Sequence, residues 1–333
     1  MQGLQEKKEG NDCYGTENFS RNLRVTKIVI FMAILGFEEK EFFSSGHRAC
    51  AGCGEAIALR HVLKAAGEKI VVVQATGCME VVSTPYPETS WEVPWVHCAF
   101  ENAAAVASGV RASLNMKGDK ETKVVAIGGD GATYDIGFGS LSGAFERGTN
   151  FLYVCTNNEA YMNTGIQRSG ATPEYTSTTT TPAGKVINGK AGVKKPLPFI
   201  LAAHGAKYVA TASVTNLFDL KKKVQKALSI NGPTYIEVLV PCVPGWKIDA
   251  SSTLDVAKKA FETNVFPLFE IENGVLTITS KPEAKKPVHE YLMMQGRFKH
   301  LNPEQMENIQ KGVDEHFNFL ESIQGKKIFE TLL

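Results

Sequence analysis

Two polar motifs in this 333-residue chain carry residue types that bind a hard metal ion. Gly129-Asp130-Gly131 follows one apolar run, and Asn157-Asn158 follows the next apolar run along the chain. In a parallel α/β sheet both motifs fall at carboxyl ends of strands, where ligands bind. Aspartate and asparagine oxygens suit Mg²⁺, and glycine lets the backbone approach a diphosphate closely. The pair of motifs predicts a magnesium and diphosphate site, although Gly-Asp-Gly alone also fits a strand-to-helix turn with an N-cap aspartate.

The second candidate site is a set of cysteines. Seven cysteines, an odd number in a long chain, favour metal, cluster or buried-thiol roles over a disulfide framework. Cys50 and Cys53 form a CxxC motif, whereas Cys78 and Cys242 come later. Four thiolates suit zinc or a [4Fe–4S] cluster, and a bare CxxC also suits a redox dithiol. The cysteine count by itself slightly favours zinc. We expect no ligand among the remaining three, which are Cys13, Cys98 and Cys155.

Apolar runs and helix-like segments alternate from Gly46 onward. The apolar runs predict strands at Ile70–Val73, Val124–Ile127, Phe151–Cys155, Tyr208–Ala210 and Tyr235–Val240. The predicted helices are Glu55–Ala66, Glu101–Leu114, Gly137–Glu146, Leu217–Leu228 and Pro303–Ser322. This alternation predicts an α/β fold, a mostly parallel sheet with helices on both faces. Residues 171–200, rich in threonine and lysine, are predicted to form a long loop.

The charge balance and hydropathy exclude several classes of partner. With 36 Lys+Arg, 35 Asp+Glu and a net charge of +1, the chain has no electrostatic reason to bind nucleic acid or an anionic membrane. The strongest apolar run near the N-terminus, Ile28–Leu35, is about half as long as a membrane-spanning helix requires. No convincing small-residue cleavage site for a signal peptide follows it. We therefore expect a cytoplasmic protein without a membrane span.

The two polar motifs together resemble the thiamine diphosphate motif of thiamine-dependent enzymes. A longer string, Asn157–Ser169, resembles the β subunits of pyruvate:ferredoxin oxidoreductases, within the 2-oxoacid:ferredoxin oxidoreductase family. The similarity extends from about residue 44 to about residue 301 and includes Thr76–Glu80 and Val93–His97. The resemblance implies a thiamine diphosphate-binding fold with additional segments at both termini.

This resemblance also implies roles for individual residues. Mg²⁺ would be held by the Asp130 carboxylate, the Asn158 side-chain oxygen and the Ala160 main-chain carbonyl, with Gly129 and Gly131 beside the diphosphate. The residue types agree for the two side chains, but a main-chain ligand does not follow from residue type.

A catalytic residue and a set of cluster ligands follow from the same resemblance. Asn163 would lie beside the thiazolium ring and the substrate as a catalytic residue. The cysteine spacing resembles the family pattern for a [4Fe–4S] cluster, which reverses the preference for zinc. Zinc has no accessible redox couple, whereas a cluster accepts single electrons. The implied ligands are Cys50, Cys53, Cys78 and Cys242.

The implied activity is the oxidative decarboxylation of pyruvate with coenzyme A to acetyl-CoA and CO₂, reversibly, with electrons passed through the cluster to ferredoxin. The chain would act only with partner subunits, among them a pyrimidine-side subunit that supplies a glutamate and a ferredoxin-like subunit. The same residues are also compatible with this chemistry on 2-oxoisovalerate or oxalate. A non-redox thiamine-dependent lyase and a zinc-stabilised binding protein without catalytic activity are two further candidate functions.

Three regions are expected along the chain. Residues 1–45 are an N-terminal extension, residues 46–250 are the thiamine diphosphate- and cluster-binding domain, and residues 251–333 are a C-terminal extension. The last region is expected to wrap the core or a neighbouring subunit, and its role is not assigned by the sequence.

Overall fold

The core of the protein is a single eight-stranded sheet. The structure, a computed structural model, describes residue 37 and residues 39–328, and every element below belongs to the unit that begins at Glu41. The strand order is β2-β1-β3-β4-β6-β5-β7-β8. Strands β1 to β6 run parallel, whereas β7 pairs antiparallel with β5, and β8 with β7. The strands are β1 (Ile70–Ala75), β2 (Trp95–Cys98), β3 (Lys123–Gly129), β4 (Phe151–Asn157), β5 (Tyr208–Ser213), β6 (Pro233–Leu239), β7 (Leu268–Glu272) and β8 (Val275–Ser280).

Helices connect and cover these strands. Ten α-helices are described: α1 (Gly54–Ala66), α2 (Cys78–Ser83), α3 (Ala103–Met116), α4 (Phe138–Glu146), α5 (Leu197–Ala203), α6 (Leu217–Ser229), α7 (Val243–Trp246), α8 (Thr253–Glu262), α9 (His289–Leu292) and α10 (Pro303–Ile323). A π-helical turn, Gly131–Ile136, follows β3, and 3₁₀ turns lie at Ala250–Ser252 and Gly296–Phe298. The predicted α/β fold class is confirmed. No helix in the described part of the chain is both long and apolar enough to cross a membrane.

The central strands explain why the sequence shows continuous apolar runs instead of alternation. All seven residues of β4 and all seven of β6 are buried. Strands that are covered on both faces bury both sets of side chains, so each run is apolar throughout. The five predicted strands and the five predicted helices are all present, with ends that differ by at most three residues.

Three strands and five helices differ from the sequence-based expectation. The helices that were not predicted are α2, α5, α7, α8 and α9. The edge strand β2 and the hairpin β7–β8 were not predicted, and both hairpin strands lie within the expected C-terminal extension. The prediction of a continuous loop over residues 171–200 was wrong at its end, because α5 begins at Leu197 and buries Leu197 and Leu201. The expected N-terminal extension, including Cys13, lies mainly outside the described residues.

The parallel order places one end of four neighbouring strands at a common edge. Strands β1, β3, β4 and β6 are adjacent and run in the same direction. The polar and cysteine residues that follow them therefore meet at the carboxyl edge of the sheet. This edge holds the candidate site.

Candidate cofactor and cluster site

A cavity of about 290 Å³ lies at the carboxyl edge of the sheet. Its walls come from the segments that follow β1, β3 and β4, together with the start of α1. Seven of the predicted site residues line it, namely Cys78, Gly129, Asp130, Gly131, Asn158, Ala160 and Asn163. The structure therefore brings the two polar motifs to one cavity, as the parallel topology predicts.

Three oxygen-bearing groups converge inside this cavity. One end of the Asn158 amide lies 3.0 Å from Oδ1 of Asp130 and 2.7 Å from the main-chain oxygen of Ala160. Without a cation, hydrogen bonding places the amide nitrogen at this end, where it donates to both oxygens. Adjacent ligands of an octahedral Mg²⁺ ion are about 3.0 Å apart, so the amide oxygen in the opposite orientation would complete three sites of such an ion.

The Asp130 carboxylate is held by a serine that sequence reasoning missed. Ser169 is fully buried, and its hydroxyl donates a hydrogen bond to Oδ2 of Asp130. This contact leaves Oδ1 directed toward Asn158. Burial raises the pKa of Asp130 well above its usual range, and the Ser169 hydrogen bond opposes that shift. A cation at this place would therefore compete with protons for Asp130.

The cavity also fits a diphosphate, but only together with a cation. Its lining contains two carboxylates, Glu55 and Asp130, and no lysine, arginine or histidine among the described residues. A bare diphosphate would be repelled by these carboxylates, so its charge has to be balanced by a bound metal ion. A Cβ at Gly129 would meet no atom within 4 Å, which leaves backbone accessible beside the cavity. A Cβ at Gly131 would lie 2.6 Å from the ring of Tyr161, so this position requires glycine.

The predicted cysteine ligands lie next to the cavity. Cys53 precedes α1, Cys78 begins α2, and Cys242 precedes α7. The CxxC segment packs closely on the segment that carries Cys242, because a Cβ at Gly54 would lie 2.8 Å from the main-chain oxygen of Pro241. Only a residue without a side chain allows this approach.

The sulfur atoms interact with one another. Burial is the largest effect on these thiols and raises the pKa of Cys53 to about 12 and that of Cys242 to about 11. Charge on Cys242 raises the pKa of both Cys53 and Cys78, and charge on Cys50 raises that of Cys242. Cys53, Cys78 and Cys242 therefore interact electrostatically with one another, and Cys50 interacts with Cys242. Within the described residues, no three His, Cys, Asp or Glu side chains are close enough together to hold a single metal ion.

Backbone and amide donors are already directed at these sulfur atoms. The N–H groups of Glu55 and Ala56 interact with the Cys53 sulfur, and that of Gly245 interacts with the Cys242 sulfur. The Asn163 side chain interacts with the Cys78 sulfur. Hydrogen bonds to sulfur stabilise thiolates and tune the reduction potential of clusters.

Glu55 is a buried carboxylate between the cysteines and the oxygen site, and sequence reasoning missed its role. It accepts a 2.8 Å hydrogen bond from Thr156 and interacts with the Asn158 side chain. Burial raises the pKa of Glu55 to about 7 in spite of these hydrogen bonds. An acidic residue on an otherwise apolar helix face, directly after a CxxC motif, was the available signal.

The other two cysteines of the described residues, Cys98 and Cys155, are buried elsewhere in the sheet. Cys155 is fully buried in β4, and the Cys98 sulfur donates to the main-chain oxygen of Gln74 at 3.4 Å. His97 and Cys98 do not form a catalytic pair, because the His97 ring is exposed and contacts Thr76, whereas Cys98 is buried.

Two lysines of the 171–200 segment stabilise that segment. The buried Lys190 ammonium donates to the main-chain oxygens of Thr172 and Val193, and Lys195 donates to Asp135 at 2.7 Å. These ammonium groups are thus used within the chain.

The chain is similar to proteins of known activity. Residues 75–238 match the model of the thiamine pyrophosphate enzyme C-terminal TPP-binding domain. The chain is 53% identical to pyruvate synthase subunit PorB of Methanocaldococcus jannaschii, over 87% of this chain and 99% of that protein. It is 43% identical to ketoisovalerate oxidoreductase subunit VorB of Pyrococcus abyssi, over 87% of this chain and 94% of that protein.

A solved structure shares the fold. It is the 2-oxoglutarate:ferredoxin oxidoreductase of Magnetococcus marinus with 2-oxoglutarate, coenzyme A and succinyl-CoA bound. The TM-score is 0.53 at 22% identity, over 65% of this chain and 79% of that chain. At this level of identity the similarity concerns the fold alone.

Proposed function

Because the chain belongs to the family of 2-oxoacid oxidoreductase subunits that includes pyruvate synthase subunit PorB, we propose that it is the β subunit of a pyruvate:ferredoxin oxidoreductase. The reaction converts pyruvate and coenzyme A to acetyl-CoA and CO₂, passes two electrons to ferredoxin and is reversible. The enzyme acts in the cytoplasm.

The observation that carries this proposal is the convergence of three oxygen groups in a cavity whose described lining residues include no cationic side chain. Asp130 Oδ1, the Asn158 amide and the Ala160 carbonyl would hold Mg²⁺, which in turn neutralises the diphosphate of the thiamine cofactor. Gly129 and Gly131 keep the backbone open on the diphosphate side. The family of the chain independently supports thiamine diphosphate as the cofactor.

The cysteine set would hold a [4Fe–4S] cluster beside the cofactor. Cys53, Cys78 and Cys242 interact electrostatically with one another, Cys50 interacts with Cys242, and Cys78 lines the cavity. When bound, thiamine diphosphate supplies the carbanion chemistry of 2-oxoacid decarboxylation, and the cluster supplies one-electron transfer. The ligands are Cys50, Cys53, Cys78 and Cys242.

Asn163 connects the two sites. It lines the cavity, and its amide interacts with the Cys78 sulfur. In the proposed function Asn163 orients the 2-oxoacid and keeps it next to the cluster. Phe100 and Tyr161, whose rings lie 5.7 Å apart, form an apolar wall of the same cavity.

The active site is completed by partner subunits. Activation of a thiamine cofactor requires a glutamate at its aminopyrimidine ring, and this chain contributes the diphosphate side. We therefore propose a pyrimidine-side subunit, which supplies that glutamate, and a ferredoxin-like subunit, which passes electrons on to ferredoxin.

Pyruvate is favoured over 2-oxoisovalerate as the substrate. The relative named for pyruvate is 53% identical to the chain, whereas the relative named for ketoisovalerate is 43% identical. Both are matched over nearly their full length, so the difference does not come from coverage.

An anaerobic assay of the co-purified complex tests the proposal. Ferredoxin reduction is measured with pyruvate, 2-oxoisovalerate, 2-oxoglutarate and oxalate, each with and without coenzyme A. The proposal predicts the highest kcat/KM with pyruvate, and a dependence on added thiamine diphosphate and Mg²⁺. A higher kcat/KM with 2-oxoisovalerate would assign the chain to that substrate instead, and a colourless protein that decarboxylates pyruvate without reducing ferredoxin would indicate a non-redox lyase.

A further inference from the structure

An arginine from the C-terminal part of the chain contacts the loop that carries the proposed Mg²⁺ ligands. Arg297 lies in the 3₁₀ turn Gly296–Phe298, and its side chain is 1% exposed. Its Nη2 lies 2.5 Å from Oε2 of Glu159, whose side chain is 3% exposed. Glu159 is the residue between Asn158 and Ala160. A fully buried ion pair thus joins the C-terminal part of the chain to the middle of the proposed metal loop.

The backbone of Glu159 adopts a conformation that most side chains disfavour. Its φ is 67°, in the left-handed region, which residues with a Cβ rarely occupy. Two main-chain contacts help to hold it: Asn157 Oδ1 accepts from the Glu159 N–H at 2.9 Å, and Thr172 donates to the Glu159 carbonyl at 2.7 Å. This turn brings the Asn158 amide within 2.7 Å of the Ala160 carbonyl.

A tryptophan fixes the other side of the arginine. The Arg297 guanidinium lies 3.9 Å from the ring centroid of Trp246, and its Nε donates to Gln295 at 2.9 Å. The Trp246 indole N–H donates at 2.8 Å to the main-chain oxygen of Asn158. Trp246 ends the short helix α7, which Cys242 precedes. One buried arginine therefore contacts both the metal loop and the segment that carries the fourth cysteine.

We propose that Arg297 is a positioning residue for Mg²⁺ and diphosphate binding. Arg297 pairs with the Glu159 carboxylate and stacks on Trp246, and these two contacts hold the Glu159 backbone in its left-handed conformation. This inference rests on the proposed function, since it assumes that Asn158 and Ala160 hold the metal ion. Arg297 touches neither the cavity nor the reacting atoms, and it acts through Glu159. Lysine does not replace it, because the planar guanidinium is needed to stack on the indole while it bonds Glu159 and Gln295.

The test separates positioning from general stabilisation. Removal of Arg297 alone leaves the Glu159 carboxylate buried and unpaired, which destabilises the fold by itself. The informative variant is therefore Arg297→Met with Glu159→Gln, in which both charges of the pair are removed. Its binding of Mn²⁺ and thiamine diphosphate is measured in the assembled complex, depleted of cofactor, by EPR of free Mn²⁺ and by calorimetry. We expect the dissociation constant to rise about 10- to 100-fold, the usual effect of losing a residue that orients a metal ligand.

A glycine provides a rescue that a merely structural role does not predict. Glycine adopts a φ near 67° without steric cost, and the two main-chain contacts of residue 159 remain available to it. Arg297→Met with Glu159→Gly should therefore bind Mn²⁺ and thiamine diphosphate within about threefold of Glu159→Gly alone. The positioning role would be overturned if cofactor binding were weakened equally in Arg297→Met with Glu159→Gly and in Arg297→Met with Glu159→Gln.

A buried cation elsewhere serves as the matched control. Lys223 on α6 pairs with Asp219 at 2.6 Å, and its side chain is 2% exposed. Lys223→Met should lower the melting temperature and leave cofactor affinity unchanged. If Arg297→Met with Glu159→Gln also bound the cofactors like the wild type, the inference would be wrong while the proposed function stood. A wild-type complex that bound neither Mn²⁺ nor thiamine diphosphate would instead overturn the proposed function.

Discussion

Replacement of Ser169 by alanine should weaken Mg²⁺-dependent cofactor binding without removing any ligand. The Ser169 hydroxyl donates to Oδ2 of Asp130, and both residues are buried. Burial raises the pKa of Asp130, so protonation competes with metal binding at this carboxylate. A hydrogen bond to an ionised acceptor stabilises by about 1.5–3 kcal/mol and a neutral one by about 1 kcal/mol. Where metal binding replaces the proton of Asp130, the Ser169 contact becomes stronger by about 0.5–2 kcal/mol. This corresponds to about a 2- to 30-fold loss of affinity in Ser169→Ala.

The assay is a calorimetric titration of the cofactor-depleted complex with Mg²⁺ at saturating thiamine diphosphate. Ser108→Ala on helix α3 is a suitable control. The Ser108 hydroxyl donates only to neutral groups, among them the Ala104 carbonyl at 2.9 Å. The control should bind Mg²⁺ like the wild type. An affinity of Ser169→Ala within twofold of the wild type would refute the idea that this serine holds an ionised metal ligand.

Three further outcomes are expected. Asp130→Ala abolishes thiamine diphosphate binding, because the diphosphate loses the metal ion that balances its charge and the described lining residues of the cavity include no cationic side chain. Near-normal affinity in a calorimetric titration would contradict this. The chain purified without its partner subunits stays inactive even when loaded with cofactors, because the missing general acid–base group alone is worth about 10²–10⁴-fold. This is checked by NMR of proton exchange at C2 of the bound cofactor, and exchange at the rate of the complex would oppose it. Iron and sulfide analysis of seven anaerobically prepared single Cys→Ala variants should show loss of iron and sulfide in four variants only. Loss of iron in Cys98→Ala but not in Cys242→Ala would identify a different fourth ligand. The four expected positions are Cys50, Cys53, Cys78 and Cys242.

The central strands and the positions of the Asp130 and Asn158 motifs at their ends were predictable because local sequence determines them. The apolar run that ends at Gly129 and the run that ends at Asn157 are buried on both faces, and parallel pairing then places both motifs at one edge. The hairpin β7–β8, which was not predicted, also has a local signal in the sequence. Asn273-Gly274 lies between two strand-like runs, and both residues have positive φ, as a two-residue hairpin turn requires.

The residues that support the site were not predictable, because their partners lie far away in sequence. Ser169 reaches Asp130 across 39 positions, and Arg297 reaches Glu159 across 138. A serine in a loop and an arginine near a C-terminal turn look like ordinary surface residues in a sequence. Glu55 gave a weak signal, an acid beside the CxxC motif, but its burial depends on Thr156, which is 101 positions away. Such roles follow only from the tertiary structure.

The most direct test of the account is a single anaerobic mixing experiment with the assembled complex. Pyruvate is added to the wild-type complex and to the complex that carries Asp130→Ala, and visible absorption and EPR spectra are recorded. We predict broad visible absorption before mixing in both, and bleaching with a reduced-cluster EPR signal only in the wild type. A wild-type complex that contained iron and thiamine diphosphate but gave no spectral change with pyruvate, or an Asp130→Ala complex that reacted like the wild type, would contradict the account.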